Sequence, residues 1–138
     1  MKIFNLILLV ALAIPAFSQD QGTYKGTLGP VESVKLTFQP DHRIKIEHEV
    51  NLDKPQVDIA VGEYQWNGNH LEIQIDEVRT NQAQEQSFTL EIRRKGIDAI
   101  PKVEIKNGAS LDFVTELHKD RLTLNGPDGW QLPLYRTP

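Results

Sequence analysis

VDIAVGEYQWNGNHLEIQI, residues 57–75, reads as two strands and the tight turn between them. Tyr64 and Trp66 share one face of the first strand, and Leu71, Ile73 and Ile75 share one face of the second. Between them Asn67-Gly68-Asn69 supplies residues that tolerate positive φ, which short hairpin turns require. Inside the first strand the alternation slips. Val57, Ile59 and Val61 lie on one phase, whereas Tyr64 and Trp66 lie on the other. The slip falls at Gly62-Glu63, so a β-bulge or sharp bend is expected there, and such curvature lets a sheet roll up. The stretch sets the class of the chain as β.

The same plan extends on both sides. Upstream, residues 23–28 (TYKGTL) form a short strand in which Gly26 suggests a bend or bulge. In 31–39 the apolar Val34, Leu36 and Phe38 alternate strictly with Lys35, Thr37 and Gln39. A period of two marks a sheet with one buried and one solvated face. Pro40-Asp41-His42 turns the chain back through Ile44, Ile46 and His48, and 51–55 is a connecting loop.

Downstream, 76–86 is polar, and either prolongs two strands into a long hairpin or forms a loop. Phe88, Leu90 and Ile92 then mark a clear strand. Residues 96–101 (GIDAIP) interrupt the pattern, and a single helical turn is the expectation there. Val103 and Ile105 make a short strand that ends at a hairpin signal, Asn107-Gly108. Phe113, Thr115 and Leu117 follow, then a turn at Lys119-Asp120, then Leu122 and Leu124. The run 125–129 (NGPDG) is a strong turn. The last strand carries Trp130, Leu132 and Leu134, and Pro133, which cannot donate to a ladder, implies an edge or bulge on its side.

These are about eight to ten strands joined by short hairpins, with no amphipathic helix. The expected fold is therefore an all-β, antiparallel up-and-down meander barrel, with a β-sandwich as the alternative. A barrel of this strand number has an interior just wide enough for its own side chains or one small ligand.

Residues 1–18 stand apart from that fold. Lys2 gives a positive start, 3–14 are apolar apart from Asn5, and Ala16-Phe17-Ser18 offers small residues for cleavage. This is the pattern of a secretory signal peptide, with a mature start at Gln19 and a single domain over 19–138. The apolar run is shorter than the ~20 residues of a membrane span. Export to the periplasm or the medium is the expected localisation, without stable membrane insertion after cleavage. Of the 15 basic residues only Lys2 lies in that segment, leaving 14 against 19 acidic ones, a formal charge of −5. An acidic surface of interspersed signs argues against a nucleic-acid partner. With no cysteine in the chain, disulfides, thiolate metal sites and thioether lipidation are excluded.

GTYKGTL near the mature start, LTFQPDHRIK after it, GEYQWNGNHLEIQI in the middle and LPLYR at the end resemble the small secreted bacterial lipocalin-like proteins. The resemblance spans most of 19–138 as a spaced pattern. It implies a closed barrel with a cup for small apolar molecules. Lipocalins usually carry a tryptophan in a first-strand Gly-x-Trp motif, where Gly22-Thr23-Tyr24 sets a tyrosine here. The family's late arginine, which packs over that ring, corresponds to Arg136.

The residues themselves offer little chemistry. No Gly-x-Ser-x-Gly elbow, phosphate-cradling loop or HExxH helix is present, and Ser33, Ser87 and Ser110 have no local activating partner. Glu72 and Asp76 alternate with the apolar face and are expected to point to solvent. His42 and His48 lie far apart along one strand, and His48, in phase with Ile44 and Ile46, is expected to reach water at the strand's open end. Neither a metal nor a cofactor is expected, and the chain reads as a non-enzyme.

Two binding readings follow. In the first, an apolar ligand enters a cup beside Tyr64 and Trp66, and Phe38, Ile46, Ile73 and Leu90 form its walls. In the second, the barrel is filled, and the protein acts as an inhibitor or accessory subunit that meets a protein partner through loops and an edge strand. A carrier keeps an unfilled cavity; an interaction module does not.

Overall fold

The computed structural model describes residues 22–80, 86–92, 100–127 and 129–138. Among these the alternating segments form ten strands and no helix. They are β1 (Thr23–Thr27), β2 (Glu32–Gln39), β3 (Arg43–Val50), β4 (Gln56–Asn67) and β5 (His70–Arg79). After them come β6 (Ser87–Glu91), β7 (Lys102–Lys106), β8 (Ser110–His118), β9 (Arg121–Asn125) and β10 (Gln131–Arg136).

Eight of the ten close into an antiparallel barrel in the order β1-β10-β9-β8-β5-β4-β3-β2. With β6 and β7 set aside, each barrel strand pairs with the next along the chain. This is the lipocalin-like meander, not a sandwich. Closure removes the sheet edges that a curled antiparallel sheet would otherwise expose. Among the described residues no helix is long and apolar enough to cross a membrane.

The period of two places the core. Val34, Leu36 and Phe38 on β2 and Ile44 and Ile46 on β3 are all buried. Ala60, Tyr64, Leu71, Ile73 and Ile75 on β4 and β5 join them in a single apolar cluster. Leu36, Ile46 and Ala60 face one another in register across three strands, one layer of that interior. The turns carry the backbone geometry their residues allow: Asp41, His42 and Gly68 all have positive φ.

The expected irregularity falls beside Gly62, but the extra residue belongs to the partner strand. On β4 the inward phase runs unbroken through Asp58, Ala60, Gly62, Tyr64 and Trp66. The ladder shifts between Val61, opposite Glu77, and Gly62, opposite Ile75, so the extra residue is Asp76 on β5. Val57, Ile59 and Val61 therefore face outward, half-buried. Ile59 lies between Glu47 and Arg79, and Val61 between Lys45 and Glu77, whose aliphatic stems can lie against apolar neighbours.

Asn107-Gly108 is also not a hairpin turn. β7 pairs with β6, while β8 pairs with β5 and β9. Residues 107–109 instead hook onto the bulged part of β5. The Gly108 N–H donates to the Ile75 carbonyl at 3.0 Å, and the Ile75 N–H to the Ala109 carbonyl at 2.9 Å. The Val78 N–H donates to Asn107 Oδ1 at 2.7 Å. From that anchor the β6–β7 hairpin lies over the end of the barrel where β3 finishes, and Phe88, Leu90, Ile92 and Ile105 merge with the barrel's apolar cluster. The expected leader (1–18) and the expected helical turn at 96–101 lie wholly or largely outside the described residues, as does 81–85 of the polar passage.

Candidate functional site

Of the expected ligand-binding residues, Phe38, Ile46, Tyr64 and Ile73 are buried on the inward phase of the barrel, Trp66 is partly buried against them, and Leu90 lies apart on β6. Phe38 is the centre of an aromatic cluster at the end of the barrel where β2 and β4 finish. Its ring centroid lies 6.0 Å from Tyr24 and 5.0 Å from Tyr64, both edge-on, and 6.0 Å from Trp66, which stacks on it. Centroid distances of 4.5–7 Å are those of rings in mutual contact. Ile46 and Ile73 are buried at mid-barrel, each 2 % exposed. Leu90 is not in the barrel wall at all. It sits on the hairpin opposite Val103 and helps to close the other end. The Tyr64 ring, under His42 at 5.8 Å, carries a hydroxyl whose pKa burial pushes above its ordinary value.

A cavity of about 580 Å³ lies outside, on β4, β5 and β8. Tyr64, Ile73 and Leu111 border it between two rungs of outward lining that the register aligns, Gln65–Glu72–Asp112 and Glu63–Gln74–Ser110. These side chains hold one another. The Gln65 amide donates to Glu72 Oε2 at 2.7 Å, and the Ser110 hydroxyl to Gln74 Oε1 at 2.7 Å. The Gln74 amide in turn donates to the Gly108 carbonyl at 3.2 Å, and Asp112 lies 2.9 Å from His70 Nδ1. The result is a fixed, acceptor-rich face with three carboxylates and His42 at its rim. Period two displays these residues, yet only the pairing of β5 with β8, across the intervening residues 80–109, brings the three strands together. That pairing could not be read from the chain.

A third constellation involves His48. It is 7 % exposed and does not reach water, because the β6–β7 hairpin covers it. Its ring stacks on Phe88 at 5.9 Å with an interplanar angle of 6°. Nδ1 lies 3.2 Å from Asp58 Oδ2, and Nε2 lies 3.3 Å from Glu32 Oε2. Glu32 and Asp58 were missed at the sequence level, although both hold the inward phase of their strands, with Val34 and with Ala60. The two carboxylates flank the ring from opposite nitrogens and cannot share an ion with it. Among the described residues no group of three or more histidine and acidic side chains is arranged to hold a metal.

In comparisons with protein-family models, with curated proteins and with solved structures, nothing matches this chain.

Proposed function

We propose that this protein is an exported, non-enzymatic binding module of lipocalin-like build, in which the barrel is a filled scaffold and a protein partner docks on the outer face of β4, β5 and β8. One observation carries the reading. The inward rings of Phe38, Tyr64 and Trp66 are packed on one another, whereas the cavity of about 580 Å³ opens on the outer face over Glu63, Gln65, Glu72, Gln74, Ser110 and Asp112, and is bordered by Tyr64, Ile73 and Leu111 only where they lie between those outward positions. A carrier for apolar molecules would need that arrangement reversed. The carboxylates of Glu63, Glu72 and Asp112 favour a partner that presents basic side chains, since complementary charge steers and orients docking. Side chains already fixed by cross-strand hydrogen bonds lose little freedom on binding, which favours affinity.

Two titrations test this. A fluorescent fatty-acyl probe should leave Trp66 emission unchanged in a Trp130→Phe background. Saturable quenching would restore the carrier reading. A lysine-rich peptide should shift the backbone amide resonances of 63–65, 72–74 and 110–112 at low salt, and Glu72→Gln with Asp112→Asn should weaken that binding. Shifts confined to another face, or an affinity indifferent to those substitutions, would remove this docking surface.

A further inference from the structure

The Glu32–His48–Asp58 constellation goes beyond the docking-face reading and does not depend on it. Three consecutive barrel strands each place one charged side chain on their inward phase at the same end of the barrel, beside the apolar Val34, Ile46 and Ala60. Burying such groups is costly unless each finds a partner. The side chains of His48, Glu32 and Asp58 are only 9 %, 17 % and 18 % exposed. The histidine is faced by Glu32 from β2, by Asp58 from β4 and by the uncharged ring of Phe88 from β6.

The valence of the imidazole decides what this arrangement does. A neutral ring has one N–H and one lone pair, whereas an imidazolium has two N–H groups. Both ring nitrogens here face carboxylate oxygens at hydrogen-bond range. Only the imidazolium can donate to both at once. A neutral ring would set its lone pair against an anionic oxygen, turning an attractive contact into a repulsive one in a site shielded from water.

We propose that His48 is a proton-operated clasp: as an imidazolium it ties β2 to β4 and seats the β6–β7 hairpin over this end of the barrel, and loss of its proton to water releases the hairpin. The hairpin is suited to move as a unit. Among the described residues its two strands ladder only with each other, and its contacts with the barrel include the Asn107 hook, the apolar face of Phe88, Leu90, Ile92 and Ile105, and the Phe88–His48 stack. The sign is that of a group bound as the cation: docking is strongest in acid and is lost as pH rises through the imidazole range. Release would uncover the hairpin's apolar face and this end of the interior together.

Hydrogen exchange of the intact protein at about pH 5.5 and about pH 8.5, either side of the ordinary imidazole range, reads the clasp. After correction for intrinsic exchange chemistry, the amides of 87–92 and 102–106 should lose about tenfold in protection at the higher pH, the equivalent of ~1.4 kcal/mol, relative to those of β2 and β3. In His48→Gln the hairpin's protection should no longer change with pH. Nitrogen-15 spectra of the wild-type ring supply a readout that needs no variant. Both ring nitrogens should be protonated at the lower pH, and one should carry a lone pair at the higher. Hairpin protection equal at the two pH values, a pH dependence that survives in His48→Gln, or a neutral ring at about pH 5.5 would each overturn the proposal.

Discussion

Tyr64 ties a buried ring to a titratable group. It packs edge-on against Phe38 and is 6 % exposed, and burial raises the pKa of its hydroxyl by disfavouring the phenolate. The sign of its effect on stability follows. Below the ordinary tyrosine range the hydroxyl is neutral in folded and unfolded chains alike, and the raised value costs nothing. As pH rises past about 10 the unfolded chain releases the proton while the folded one retains it, so stability falls. Denaturant melts of Tyr64→Phe should therefore lose less stability than the wild type between about pH 9 and about pH 11. Equal alkaline losses in the two proteins would mean that the hydroxyl is solvated in the fold. His48 is a second buried polar ring. Its phase with Ile44 and Ile46 was legible in the sequence, but its partners were not, because Glu32 and Asp58 are joined to it only by strand register.

At the scale of elements, the turn-bounded alternating runs gave the strands of the barrel. What they did not give was the direction in which an unbalanced strand faces. β4 carries apolar residues on both phases, and the larger side chains of Tyr64 and Trp66 together with the small Ala60 and Gly62 hold the inside, leaving Val57, Ile59 and Val61 outside. The slip inferred for β4 belongs to β5, where Asp76 is the extra residue and pairs outward with Arg43 at 2.6 Å. Gly62 is indispensable to that crossing. A Cβ built on it would lie 2.1 Å from the Gln74 carbonyl oxygen, which is backbone and cannot swing aside. Gly62→Ala should cost about 2–3 kcal/mol, the range of an overpacked core, and lower the denaturant midpoint without changing its slope. A loss under ~0.5 kcal/mol would show that β4 and β5 separate more easily than this geometry implies. The excursion of β6 and β7 was the part least open to sequence reasoning. Their apolar alternation is that of any barrel strand, and Asn107-Gly108 has the composition of a hairpin turn. Only the competing pairing of β8 with β5 expels the two strands from the wall, and with them Leu90.

For the molecule as a whole, the thinnest join is the one that makes the barrel closed. β2 and β3 pair along their full length, from Glu32 opposite Val50 to Gln39 opposite Arg43. β1 and β10 pair only as Tyr24 opposite Arg136 and Lys25 opposite Tyr135, extended by bonds to the Thr23 carbonyl from the Thr137 N–H at 2.8 Å and the Thr137 hydroxyl at 3.3 Å. Pro133 explains why the ladder stops: it has no N–H to offer β1, so the strands meet there through packing alone. Gly26 permits the approach, since a Cβ on it would come within 2.5 Å of Leu134 Cδ2 and 2.8 Å of the Pro133 carbonyl oxygen. The Arg136 guanidinium lies beside Gly22, 3.3 Å from where a Cβ would stand, just ahead of the strand that carries the buried Tyr24. A chain so joined should open first at this seam, and β1 and β10 amides should exchange well before those of β3. Arg136→Ala should cost about 0.5–1 kcal/mol, the value of a cation held near an aromatic ring at a partly exposed site. The same substitution in a Tyr24→Leu background, which keeps the core filled but removes the ring, should cost much less. A double-mutant cycle returning no coupling would show that the arginine steadies the seam through the backbone at Gly22 and not through the ring.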